Sequence, residues 1–149
     1  MSRAGAAARL VVVAVLAGSA CVGPSRTDDD FSLKAASTAE QVESAVQTGR
    51  LAAKAAQGGR ATVNYLSVLI SEAEDDADSA VSQFDSIQPP SERADLVRDE
   101  LDELLDIATT QLGDLRIAIR RSDADAVAAM ARPLSDIADQ LDQFAEAHG

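Results

Sequence analysis

Apolar residues return every three or four positions over most of this chain, and that spacing is the dominant signal in it. Val63, Leu66, Ile70, Ala73, Ala77, Ala80, Phe84 and Ile87 form one unbroken stripe, the pattern of a helix with a single buried face. A second stripe runs through Leu101, Leu105, Ala108, Leu112, Leu115 and Ile119, widened by Val97 and Leu104. A third contains Val127, Met130, Leu134, Ile137, Leu141 and Phe144. Upstream of all three lies a poorer stripe of Ala35, Val42, Ala45, Val46, Gly49, Ala52 and Ala56. Asp and Glu fill the opposite faces, as solvent requires.

The breaks between stripes are equally readable. Gly58 and Gly59 suit a left-handed C-cap. The pair Pro89–Pro90 stops a helix, and Ser91 is a good N-cap for the next. Ser122 or Asp123 caps the last. Helices are therefore predicted at about 32–57, 61–87, 91–121 and 123–147. Four helices joined by short connections favour antiparallel neighbours. The expected fold is all-α, an antiparallel up-down-up-down four-helix bundle over residues 32–149, with no strand pattern. The first helix offers chiefly alanine, two valines and Leu51. At roughly 1.5–3 kcal/mol per buried large side chain, it is expected to be held less firmly than its partners. Pro133 predicts a kink in the fourth helix.

The N-terminal region is built differently. Residues 1–20 carry Arg3 and Arg9 without any acid, then an apolar run from Leu10 to Ala17, then Gly18, Ser19 and Ala20. This is the layout of a secretory signal, and its apolar run is shorter than the roughly 20 residues that span a bilayer. Cys21, the single cysteine, follows at once and can form no internal disulfide. "CVGPSRTDDD" continues as a polar, charged stretch, so 21–31 is expected to be a flexible acidic tether. The segment resembles the signal of a bacterial lipoprotein. That resemblance implies cleavage after Ala20 and lipid on Cys21, hence an extracytoplasmic protein held at the cell membrane. Gly18 stands where that family usually has leucine, and Gly18 with Ala20 also suits an ordinary signal peptidase. Over its whole length the chain is similar to small, acidic, alanine-rich helical lipoproteins of actinobacteria, a resemblance that implies no particular activity.

Charge then narrows the partners. Without residues 1–20 the chain keeps 11 basic residues against 25 acidic, a net charge of −14. Such a surface does not attract nucleic acid through its phosphates, so no nucleic-acid partner is expected. Chemistry-bearing motifs are scarce. His148 is the only histidine, so neither a Glu-x-x-His metal site nor a Ser–His–Asp or Cys–His set can be assembled. The acidic runs Ser71–Ala80 and Arg98–Asp106 read as solvated helix faces. The expectation is a chain without metal, cofactor or catalytic residues, and not an enzyme.

The remaining basic residues are unevenly placed. Arg50, Lys54 and Arg60 flank the first inter-helix turn, while Arg116, Arg120 and Arg121 precede the third. In an up-down bundle both turns lie at the end remote from the tether. Arg60, Tyr65, Arg116, Arg120 and Arg121 are accordingly the candidate partner-binding residues, facing a protein or an anionic cell-wall polymer. Cations also favour helix C-termini for their own sake. The expected role is an anchored interaction or binding module. The alternatives are a ligand- or cation-sensing bundle and a passive structural surface lipoprotein.

Overall fold

The computed structural model describes residues 25–149. The proposed signal, its cleavage point and Cys21 lie outside the described residues. Helix α1 spans Asp28–Gln57, α2 Val63–Asp85, α3 Glu92–Arg120, α4 Ala124–Ala129 and α5 Ala131–His148. The described residues are all helix and connection, without strands, and amount to four helices packed together, the fourth broken in two.

Each boundary has a local cause. Thr27 accepts from the Asp30 amide (3.1 Å), Thr62 from Tyr65 (3.3 Å), Ser91 from Ala94 (3.3 Å) and Asp123 from Ala126 (3.0 Å). These are N-caps of the usual kind. At its other end α1 closes with the Arg60 amide donating to the Ala55 carbonyl and the Gly59 amide to that of Ala56, Gly59 having φ 59°. This is a Schellman motif. Helix α3 closes identically, with Asp123 donating to Ala118 and Ser122 to Ile119. Here the left-handed residue is Ser122, at φ 55°. The fourth helix breaks at Met130, three residues before Pro133. Proline has no amide to donate and its ring crowds the carbonyl four residues back, so the expected kink falls at the preceding turn.

The start of α1 corrects the expected tether. Asp28–Phe31 are helical and Phe31 is completely buried, so the stretch before the bundle ends at Thr27. The three aspartates sit in the first turn, where the helix dipole favours negative charge. Lys34 reinforces this start, its Nζ donating to Asp30 Oδ2 (3.0 Å) and Ser25 Oγ (3.2 Å). The Lys34 hydrogen bond holds the Asp30 carboxyl below its ordinary range.

The first helix, expected to be held less firmly than its partners, touches every other helix. Helix α1 packs against α2, α3, α4 and α5, whereas α2 and α5 do not meet. Leu51, counted toward its core face, is 67% exposed. Close approach compensates for size. A Cβ on Gly49 would lie 2.8 Å from Leu112 Cδ2 and 3.5 Å from Leu115 Cδ2, so any larger residue there would have to displace the Leu112 side chain. The core otherwise follows the predicted stripes: Leu66, Ile70, Phe84, Leu101, Leu105, Leu112, Leu115, Leu134, Ile137 and Leu141 are all buried.

Candidate functional site

The two ends of the bundle differ in construction. At one, the start of α1 meets the α2–α3 connection. Ser91 Oγ donates to Asp28 Oδ1 (2.6 Å). The rings of Phe31 and Phe84 stand 5.4 Å apart, and the Arg98 guanidinium lies 5.6 and 5.0 Å from their centroids. Arg98 also donates to the Ile87 carbonyl and stands 4.0 Å from Asp85. His148, in the last turn of α5, lies against Phe144 with ring centroids 4.3 Å apart and 3.9 Å from Glu100. Burial raises the Asp102 carboxyl above its ordinary range, with Asp85, Asp106 and Asp99 adding to the effect and Arg98 opposing it.

At the other end the α1–α2 and α3–α4 turns come together over a cavity. It has a volume of about 150 Å³ and is lined by Ala56, Gln57, Ala61, Val63, Leu66, Ile119, Ser122, Ala124 and Val127. The lining is mainly apolar, Gln57 and Ser122 being the two residues in it with polar side chains. Ser122 is the only non-glycine residue with positive φ among those described. A left-handed conformation costs a residue with a Cβ roughly 1–2 kcal/mol, and that cost falls on a residue lining the cavity.

The candidate residues divide between different surroundings. Arg60, Arg120 and Arg121 are exposed and form no ion pair among the described residues. Arg60 and Arg121 adjoin the cavity-lining Ala61 and Ser122 in sequence, and the Arg60 side chain folds back over Gly58, 3.2–3.4 Å from where a Cβ would stand. Arg120 instead lines a shallow groove on α2 with Asn64, Ser67, Val68, Glu72 and Asp75, adjoining the cavity at Val63. Tyr65 is 62% exposed and lines neither. Arg116 is a member of another arrangement: its Nε pairs with Glu74 of α2, both side chains being largely covered. It holds α3 to α2 and is removed from the free cationic cap.

Arg98 was not singled out by sequence reasoning. Nothing local marks a cation that will lie over rings supplied by two other helices. The cavity was equally hidden, because it exists only once both turns share one end. Among the described residues no group of three or more His, Cys, Asp or Glu side chains is placed to hold a metal ion, and no helix is long and apolar enough to cross a membrane. No family model, curated protein or solved structure matches the chain.

Proposed function

We propose that the protein is a lipid-anchored, extracytoplasmic binding module that presents the two-turn end of an up-down-up-down bundle to a partner. The antiparallel arrangement is supported by pairs of distant residues. Asp28 of early α1 meets Ser91, Glu74 of mid α2 meets Arg116 of late α3, and late His148 meets early Glu100. Anchoring rests on the cysteine after a signal-like segment and the resemblance to lipoproteins. Binding rests on one observation above the rest: a cavity, three unpaired arginines and a strained residue converge at the end farthest along α1 from Thr27. The role is recognition rather than catalysis.

Two measurements test this reading. The native protein should fractionate with membranes and carry an acyl mass on its N-terminal peptide, and Cys21→Ser should release it or leave it unprocessed. A wholly soluble native protein would end the anchoring proposal. Crosslinking in intact cells should capture a protein or an anionic cell-wall polymer, with capture lost on reversing Arg60, Arg120 and Arg121 to glutamate. Arg116 is left out of that set, because a glutamate there would face Glu74. Capture that survives the triple reversal would reduce the cationic cap to complementation of helix dipoles.

A further inference from the structure

The lining of the cavity between the two turns is graded by burial. Leu66, Ile119 and Val127 are buried and make its apolar floor, whereas Gln57 and Ser122 are exposed at its edge. No charged residue belongs to the lining. Arg60 and Arg121 adjoin it in sequence, but so do Asp123 and Asp125, and Arg120 extends into the neighbouring groove. Neither sign of charge is favoured there. One edge residue is held at a cost. The Schellman motif that closes α1 has Gly59 in its left-handed position, and the one that closes α3 has Ser122 (φ 55°). Glycine adopts this conformation freely and serine does not. Strain kept at a cavity wall points from backbone to function.

Size and lining together define what would fit. The volume of about 150 Å³ is that of an apolar cavity able to hold a six-carbon ring. An ionised group entering it would shed water without meeting a counter-charge in the lining, which is costly. A hydroxyl sheds much less and can exchange hydrogen bonds with the Gln57 amide and the Ser122 hydroxyl. A molecule that is polar throughout would leave the apolar floor uncovered. The fitting occupant is therefore neutral, mostly apolar and polar at one end.

We infer that the cavity between the α1–α2 and α3–α4 turns is a binding site for a small neutral alcohol of about six heavy atoms. Its apolar body covers Leu66, Ile119 and Val127, and its hydroxyl meets the Ser122 and Gln57 side chains at the exposed edge. This inference rests on reading the two-turn end as the binding end, and it names a ligand class for that end. It needs neither the anchor nor the arginines, so alcohol binding and partner capture can fail separately.

The test uses the full chain carrying Cys21→Ser, which takes no lipid, so its outcome is independent of anchoring. The probe is n-pentanol, titrated while backbone amide NMR shifts are followed. Pentylamine and butanoate serve as charged probes of similar size, and benzene as one without a hydroxyl. Pentanol should give saturable shifts concentrated at Gln57, Ala61, Ser122, Ala124 and Val127, with a Kd of about 1 mM, the scale open to so few atoms. Both charged probes should bind at least about tenfold more weakly. Gln57→Ala with Ser122→Gly is the decisive variant, since it removes both polar side chains and leaves the floor intact. It should bind pentanol several-fold more weakly and benzene as the parent does. Pentanol shifts that fail to saturate, that spread away from the turns, or that either charged probe reproduces would overturn the proposal. So would a double variant that binds pentanol as tightly as the parent, or that loses benzene to the same extent.

Discussion

One end of this bundle is fastened and the other is left open. At the fastened end two buried phenylalanines from different helices share an arginine, which also satisfies the Ile87 carbonyl, while Ser91 and Asp28 join the inter-helix connection to the start of α1. At the open end the helices finish around a cavity, with an unfavourable backbone conformation on its wall and arginines that have no ion-pair partners. Net stability is a small difference between large terms, so local strain is affordable only where packing elsewhere exceeds need. The contrast teaches that a bundle can carry backbone strain and incomplete packing at one end when the other is closely fastened.

Truncations should expose the asymmetry. Phe31→Ala removes a fully buried ring and should lower stability by about 3–5 kcal/mol, read from urea or thermal unfolding. A loss near zero would return Phe31 to a tether and dissolve the fastened end. Arg98→Met keeps much of the aliphatic stem but strands the Ile87 carbonyl and takes the cation from both rings. The expected loss is about 2 kcal/mol, and it should shrink when measured in a Phe84→Leu background if the two groups act together.

The open end should respond in the opposite sense. Ser122→Gly should stabilise by about 1 kcal/mol while Gly59→Ala destabilises by a similar amount. Equal responses of the same sign would mean that the two turns are not the matched pair their hydrogen bonds describe. The smallest expected effect concerns Asp102 at the fastened end. Its carboxyl titrates above its ordinary range because burial disfavours the charge. The folded state therefore binds the proton more tightly than the unfolded chain. Stability should fall as pH rises from the ordinary carboxylate range through the raised folded pKa. Asp102→Asn should melt slightly higher than the parent at neutral pH, and this advantage should vanish in acid; an advantage that persists unchanged in acid would rule out the charge as its cause.

Much of the helical framework was readable because periodicity is local. The stripes of α2, α3 and α5 match the buried faces observed except at Val63, which is exposed, and Ser91, the Gly58–Gly59 turn and the Pro133 break act as their chemistry requires. The start of α1 was misjudged for a specific reason. Three consecutive aspartates read as a solvated linker, but the same run behind a threonine is also a capped, dipole-matched first turn. Leu51 was misplaced because its size was weighed rather than its phase, which falls off the stripe of Val46, Gly49 and Ala53. At the candidate site, the arginines were legible as a cluster only in sequence. That Arg116 belongs to Glu74, and that Arg120 belongs to a neighbouring groove rather than to the cavity, depends on which helix faces which. No single stripe carries that information.

The pinned start of α1 sets a length that matters outside the fold. Ser25 is tied to Lys34 and Thr27 caps the helix, so the fastening of α1 reaches back to the first described residue. Helix α1, at about 1.5 Å per residue over its 30 residues, then carries the two-turn end roughly 45 Å along the bundle axis. An attachment made anywhere close upstream of Ser25 would therefore hold the two-turn end a full helix length away from it.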